Sequence, residues 1–143
     1  MIIADTNVVS EFMRDEPAPN VLRWAEKLDR TDLSISVVTV EEIERGIGRL
    51  AAGRRRTTLQ GRWEQLVTTF YESLVVYDLE AARTTAGIVV HAQAIGRPMS
   101  LADAQIAGSC VSRGFALATR NTRDFDHVDG LELSNPFEDG RPG

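Results

Sequence analysis

The chain has 143 residues and a net charge of −5 at pH 7, with 43% hydrophobic and 26% charged residues. This length suits one domain with its own core, so we expect a single domain over residues 1–143. The ordinary globular composition, the lack of an apolar run near the roughly 18 residues of a membrane helix and the lack of a signal-peptide pattern predict a cytoplasmic protein without membrane association.

Apolar runs alternate with segments of helical periodicity along the chain. We predict strands over 1–4, 35–38, 74–77 and 115–118, and a last short strand over 131–133. Helices are predicted over 6–13, 20–28, 41–52, 57–72, 79–95 and 101–113, and the third and fourth form a helical hairpin. This alternation predicts an α/β fold of three layers, in which helices flank a short parallel sheet that is buried on both faces.

The first predicted strand ends directly on Asp5. In open α/β sheets, ligands bind in the crevice at the carboxyl ends of the strands, so this position suits a functional carboxylate. Asp5 or Thr6 also caps the following helix, a role that explains the acid without function. The neighbouring Thr6 and Asn7 can hold the carboxylate by hydrogen bonds.

A second acid, Glu42, follows the second predicted strand. Thr39 and Glu42 have the spacing of a capping box, in which Thr39 is the N-cap and Glu42 the third helical residue. Glu41 competes for any functional role. We prefer Glu42 because burial of Val40 and Ile43 would turn it toward the end of the sheet.

A third acid, Asp103, lies in the first turn of a helix that Ser100 caps, where the helix dipole favours a negative charge in any protein. The next strand ends in a polar cluster. In it, Thr119 and Asn121 can hold a water or the carboxylates, and Asp124 either reaches the site through water or caps a short turn.

Carboxylates that share one crevice repel each other unless a cation lies between them. Three oxygen ligands from distant segments suit a hard cation such as Mg²⁺, which takes one or two carboxylates and keeps several waters.

His91 and His127 lack a partnered histidine or cysteine at zinc-ligand spacing, and the single Cys110 lies in an apolar helical stretch as a buried thiol. We find no phosphate-binding loop, dinucleotide fingerprint or serine or cysteine nucleophile motif.

Charge is distributed unevenly. Six arginines and no acid lie between Arg45 and Arg62, whereas residues 124–139 contain six acids and no lysine or arginine. The net negative charge argues against a general nucleic-acid coat protein. The arginine stretch is either a solvated helix surface or a strip that binds phosphates, because guanidinium groups match phosphate geometry.

Four motifs in this order resemble the PIN domain, and more closely the VapC-type toxins of bacterial toxin–antitoxin pairs, in their FitB-like branch. They are IIADTNVVSE around Asp5, SVVTVEEIERG around Glu42, LADAQIA around Asp103 and ATRNTRDF around Asn121. The resemblance covers essentially the whole chain. It implies a small α/β fold, an endoribonuclease that depends on Mg²⁺ or Mn²⁺, a homodimer, and a cognate VapB- or FitA-like antitoxin whose tail blocks the site.

The resemblance also implies roles for particular residues. The catalytic and metal-binding acids correspond to Asp5, Glu42 and Asp103. From the residues themselves, we take Thr6, Thr119, Asn121 and Asp124 as supporting residues, and the candidate RNA contacts are Arg45, Arg49, Arg54, Arg55, Arg56 and Arg120. The position of Asn121 is often aspartate in the family, and a neutral side chain adds no charge for a second cation. It therefore motivates an alternative, a catalytically weakened module that binds RNA or a protein partner.

Two other classes also gather acids at strand ends. A phosphorelay receiver domain needs a lysine late in the chain, but Lys27 is the only lysine. A haloacid-dehalogenase-like phosphatase needs a second aspartate where this chain has Asn7. Both hypotheses therefore fit the sequence less well than a metal-dependent nuclease.

Overall fold

Five short strands form the central sheet of the computed structural model, which describes residues 1–138. They are β1 (Ile2–Ala4), β2 (Leu33–Ser36), β3 (Leu74–Val75), β4 (Ala116–Ala118) and β5 (Leu133–Ser134). The strand order is β3-β2-β1-β4-β5, and all neighbouring strands are parallel. Asp139 of the acidic stretch lies outside the described residues, as does the rest of the predicted domain's last segment, 139–143.

Six α-helices connect and cover the strands in the described part of the chain. They are α1 (Thr6–Phe12), α2 (Pro19–Glu26), α3 (Val37–Gly48), α4 (Arg54–Phe70), α5 (Leu79–Ala94) and α6 (Leu101–Arg113). Helices α3 and α4 form the predicted hairpin. Within residues 1–138, none of the helices combines the length and the apolar character that crossing a bilayer requires.

Alternate strand residues face two separate cores, which gives the predicted three layers. Ala4 and Ile35 pack with residues of α1 to α4, among them the buried Trp63. Ile3 and Leu117 pack on the other face with residues of α6. The strands are therefore buried on both sides, and the predicted α/β class with a short parallel sheet is confirmed.

The start of α3 differs from the prediction. Ser36 is extended, and its hydroxyl oxygen accepts the backbone N–H of Val38 at 3.1 Å, so Ser36 is the N-cap. The β-branched residues that favoured a strand over 35–38 therefore open the helix instead. The predicted capping box is wrong, because Thr39 lies inside α3 and its buried hydroxyl faces Thr6 rather than the helix end.

Helix α3 also ends earlier than predicted, at Gly48 rather than residue 52, and α4 begins earlier, at Arg54 rather than residue 57. The remaining boundaries agree more closely. Helix α6 begins and ends as predicted, with the hydroxyl oxygen of Ser100 accepting the N–H of Asp103 at 3.2 Å. Gly114 follows with a φ of 71°, a left-handed conformation that favours glycine. The last strand begins two residues later than predicted. Cys110 is buried as expected, and burial raises the pKa of its thiol to about 12.

Candidate functional site

The topology brings the predicted acids to one edge of the sheet. Helices α1 and α3 begin directly after β1 and β2, so their first turns lie at the carboxyl ends of these strands. Helix α6 leads back to the start of β4, which places its own first turn at the same edge. Asp5, Glu42 and Asp103 occupy these three positions.

The Asp5 carboxylate is buried and held by three side-chain or backbone donors. One oxygen, Oδ1, accepts the backbone N–H of Thr6 at 2.9 Å. The other, Oδ2, accepts the Thr119 hydroxyl at 2.7 Å and the Asn7 amide at 3.1 Å. Burial raises the pKa of Asp5, and the charge of Glu42 raises it further, while these hydrogen bonds oppose the shift. The carboxylate is thus fixed in place, but its burial makes the charged form less favourable than in water.

A chain of hydroxyl groups holds Glu42. The Thr6 hydroxyl donates to Glu42 Oε1 at 2.7 Å, and the Thr39 and Thr6 hydroxyl oxygens are 3.0 Å apart. Thr6 has one hydroxyl proton, and a carboxylate only accepts, so Thr39 is the donor to Thr6. Sequence analysis missed this role of Thr39. The Thr-x-x-Glu spacing also places the two residues on one face of a helix, which is the signal that the capping-box interpretation obscured.

Asp103 is half-buried in the first turn of α6. Burial and the charges of Asp5, Glu42 and Asp124 raise its pKa to about 6, although the hydrogen bond from Ser100 opposes this. Asp124 lies in a single 3-10 turn after β4 and is exposed. The structure therefore brings the other three acids near enough for their charges to raise the pKa of Asp103.

This cluster fits a hard divalent cation in charge and in donor chemistry. The cluster offers carboxylate and hydroxyl oxygens as donor atoms. Repulsion between its carboxylates makes their charged state unfavourable without a counter-ion. Within residues 1–138, no three acidic, cysteine or histidine side chains lie close enough to coordinate one ion together. Mg²⁺ does not need such a set, because it commonly takes one or two carboxylates and completes its shell with water.

The polar residues after β4 contact the acid cluster in different ways. Thr119 is buried and serves Asp5 directly, as predicted for a supporting residue. Its oxygen also accepts the backbone N–H of Asn121 at 3.1 Å, so Asn121 adjoins the cluster through its backbone. The Asn7 side-chain oxygen accepts the backbone N–H of Arg120 at 3.1 Å. Asn7 therefore ties the start of α1 to the end of β4.

A groove of about 840 Å³ runs from the acids toward the α3–α4 hairpin. Thr6, Asn7 and Glu42 line its acid end, and Arg55 and Arg62 lie farther along it. The Arg62 guanidinium is fixed by the Met13 carbonyl and by Asp15, both at 2.7 Å.

The other candidate RNA contacts lie in several settings. Arg45 pairs with Glu41 at 2.8 Å, which reduces its availability for phosphate. The guanidinium of Arg120 stacks 4.5 Å from the centre of the Phe137 ring. Arg49 and Arg54 are exposed, and Arg56 is half-buried. The structure thus places Arg55 in the groove that begins at the acids and leaves these five outside its lining.

Comparison of the sequence and the fold with known proteins identifies relatives of this chain. Residues 2–131 match the PIN domain family. The VapC ribonuclease Y4jK of Sinorhizobium fredii is 37% identical over 139 residues, which cover 96% of this chain and 99% of that protein. Toxin FitB of Neisseria gonorrhoeae is 31% identical over 140 residues, 97% of this chain and all 100% of that protein. In the structure of FitAB bound to the IR36 DNA fragment, a chain that is 32% identical superposes with a TM-score of 0.88 over 96% of each chain.

The chain belongs to the PIN domain family. Its similarity to VapC and FitB proteins over nearly the whole length confirms the resemblance predicted from the four motifs. Family membership also favours this class over the receiver and phosphatase hypotheses.

Proposed function

We propose that this protein is a metal-dependent endoribonuclease and the toxin of a type II toxin–antitoxin pair. The observation that carries the proposal is the convergence of Asp5, Glu42, Asp103 and Asp124 from four separate segments. Burial, together with the charges of the other three acids, raises the pKa of Asp103 to about 6. The printed names of the relatives, a VapC ribonuclease and a toxin, support the same activity and role.

One or two of the acids Asp5, Glu42 and Asp103 would bind Mg²⁺ or Mn²⁺ directly at the carboxyl edge of the sheet, and the others would bind it through its water ligands. A bound divalent cation supplies Lewis-acid activation of a water and neutralises charge on the scissile phosphate. Asp5 contributes a carboxylate that Thr6, Asn7 and Thr119 have already oriented.

The remaining residues position groups around this centre. Thr6 and Thr39 orient the Glu42 carboxylate. Asp103 and Asp124 line one cavity, and either carboxylate could orient an attacking water and accept its proton. Arg55, in the adjoining groove, would contact RNA phosphates.

Cleavage of RNA by the purified chain tests the activity. We expect cuts with Mg²⁺ or Mn²⁺, none in EDTA, and at least a hundredfold lower rate for Asp5→Asn. The matched control is Asp32→Asn, an exposed acid before β2 and therefore at the opposite edge of the sheet, which should cut at the wild-type rate. Undiminished metal-dependent cleavage by Asp5→Asn would overturn the assignment.

The neutral Asn121 favours a second candidate function, a weakened module that binds RNA or a partner. The two candidates differ in their response to the metal. A nuclease should gain thermal stability from Mg²⁺ and turn over RNA, whereas a pure binding module should do neither.

An antitoxin and a second copy of this chain are the proposed partners, and the cytoplasm is the proposed location, where RNA and antitoxin are available. A cationic side chain of the antitoxin placed among the acids would replace the charge of the metal. The groove lined by Thr6 and Glu42 gives such a segment a path to the acids. Coexpression with the adjacent operon gene should yield a stable complex that no longer cuts RNA, and light scattering should report a dimeric chain.

A further inference from the structure

A separate cavity of about 350 Å³ is lined by Asp103 and Asp124, neither of which lines the long groove. This volume falls within the range of roughly 300–1,000 Å³ typical of small-ligand sites. The loop between α5 and α6 forms one wall, and the segment after β4 forms the other. Asp103 and Asp124 line both this cavity and the acid cluster, so an occupant would adjoin the proposed cleavage site.

His127 lines this cavity and has no polar partner among the described residues. Its side chain is only 8% exposed, and neither ring nitrogen makes a hydrogen bond within residues 1–138. The nearest acid, Asp126, has Oδ1 3.9 Å from Nδ1, which is too far for a hydrogen bond. Burying two unpaired polar atoms is unfavourable, so a native side chain in this state calls for a partner.

The walls of the cavity are held at a fixed separation. The Arg97 guanidinium, on the α5–α6 loop, donates to Asp126 Oδ1 at 2.7 Å and to the backbone carbonyl of Arg123. These bonds join the two loops directly beside His127. The cavity is therefore a built feature of the fold.

The charges of the cavity select a neutral ligand that donates as well as accepts hydrogen bonds. The Asp103 and Asp124 carboxylates would repel a phosphate but can accept hydrogen bonds from N–H groups. His127 offers one donor and one acceptor when neutral, and Arg97 offers further donors. Nucleobases in single-stranded RNA are recognised in this way, through unstacked edges and contacts to guanidinium groups.

We propose that this cavity is a base-recognition subsite that takes a guanine next to the scissile phosphate, with His127 as its specificity-determining residue. Guanine presents N1–H and the N2 amino group, which suit the Asp124 carboxylate, and O6 and N7, which accept from His127 or Arg97. Both ring nitrogens are buried in the structure, so the proposal requires the imidazole to turn about its Cβ–Cγ bond when the base binds. The inference rests on the proposed nuclease function for its biological meaning, but binding of the base is a separate property.

Cleavage mapping on an RNA library of random sequence tests the role in specificity. The wild type should prefer guanine at one position beside the cut, and His127→Phe should lower that preference about tenfold while preferences at other positions remain. His127→Gln, which retains a donor and an acceptor, should keep part of the preference. The matched control is His91→Phe, the only other histidine, which is exposed on α5 and should cut like the wild type. An unchanged preference in His127→Phe, or no guanine preference in the wild type, would overturn the proposal.

Nuclear magnetic resonance of the unmodified chain tests base binding independently of cleavage and of any folding defect in a variant. Guanosine at millimolar concentration should shift the imidazole ¹⁵N signals of His127, which comparison with His91→Phe identifies, and uridine should not. Shifts by neither nucleoside would mean that water alone satisfies His127, and the subsite would be rejected even if the chain cuts RNA. Shifts by guanosine in a chain without nuclease activity would keep the subsite and reject the proposed function.

Discussion

At the scale of single residues, Asp103 best shows how unfavourable it is for the acid cluster to be charged without a cation. Its carboxyl group is half-buried, and the charges of Asp5, Glu42 and Asp124 add to the effect of burial. Its pKa of about 6, against an ordinary value of 3.8, means that the metal-free fold disfavours the charged form that a cation requires. Ionisation of this one residue therefore links stability, pH and metal binding.

Asp103→Asn should stabilise the metal-free protein above pH 6. The carboxyl group ionises near its ordinary value of 3.8 in the unfolded chain and near 6 in the folded one, so the folded protein binds more protons between these values. The free energy of unfolding therefore falls as pH rises through this window. After allowance for partial exposure of the side chain, we expect the variant to be more stable than wild type by about 1 kcal/mol at pH 7.5 and equal to it near pH 4.

Thermal unfolding in EDTA across this pH range measures the difference. Asp32→Asn, which removes an exposed acid outside the cluster, should show no such pH dependence. Added Mg²⁺ should stabilise the wild type and leave Asp103→Asn largely unchanged, because only a protein that binds the ion gains stability from it. A variant that is less stable than wild type at pH 7.5 in EDTA would show that repulsion is not the dominant effect.

Thr39→Val should weaken the response to metal. Valine has nearly the same shape but lacks the hydroxyl that donates to Thr6, so Thr6 loses the contact that aims its own proton at Glu42. Outer hydrogen bonds of this kind typically change metal affinity or activity by about 10- to 100-fold. We expect half-maximal cleavage to need about tenfold more Mg²⁺, with a stability loss of about 1 kcal/mol.

The serine variant separates positioning from packing. Thr39→Ser retains the hydroxyl and should restore the Mg²⁺ dependence, although it loses a buried methyl group. If Thr39→Val lowers only the unfolding temperature and leaves the Mg²⁺ titration unchanged, the hydroxyl chain serves the fold and not the site.

At the scale of helices and strands, the residues that cap a helix determined how accurately its ends could be predicted from the sequence. Helix α6 was predicted to the residue because Ser100 and Gly114 mark its ends without competitors. The start of α3 was not, because Ser36 and Thr39 are both good caps and lie one turn apart. The contact that settles the choice joins Thr39 to Thr6, 33 residues away, and no local pattern contains it.

The contact between α5 and α6 depends on one glycine that helical periodicity alone does not single out. A Cβ on Gly108 would lie 2.0 Å from Thr85 Oγ1 and 2.9 Å from the Ala81 carbonyl oxygen. Thr85 cannot easily move, since it is buried and its hydroxyl donates to Ala81 at 2.7 Å. The two helices are therefore as close as their backbones allow.

Gly108→Ala should consequently destabilise the protein, by about 1–3 kcal/mol, because the helices must separate to admit the methyl group. Gly87→Ala is the matched control, since it lies in the middle of α5 with no atom within 4 Å of its added Cβ. That change should be neutral or should stabilise by about 0.5–1 kcal/mol through helix propensity. Urea unfolding measures both, and a Gly108→Ala variant as stable as wild type would refute the close approach.

At the scale of the whole molecule, the sequence predicted which acids meet and not what surrounds them. Acids that follow parallel strands must share an edge, so the proximity of Asp5 and Glu42 follows from topology. The groove lined by Arg55 and the cavity lined by His127 depend on how the hairpin and the late loops fold back on that edge. The charge pattern showed an arginine stretch, but only the packing shows that Arg45 pairs with Glu41 while Arg55 lines the groove that begins at the acids.

Arg55→Gln should therefore weaken RNA binding in a way that depends on salt. A guanidinium that contacts a phosphate of single-stranded RNA contributes about 0.7 to the slope of log affinity against log salt concentration. We expect the slope to fall by about that amount in Arg55→Gln, measured by fluorescence anisotropy in the Asp5→Asn background to prevent cleavage. Arg83→Gln is the control, because Arg83 is exposed on α5 and pairs with Glu80 at 3.8 Å, away from the groove. Equal slopes for the two variants would mean that RNA does not follow the groove past Arg55, and that its path over the molecule lies on another face.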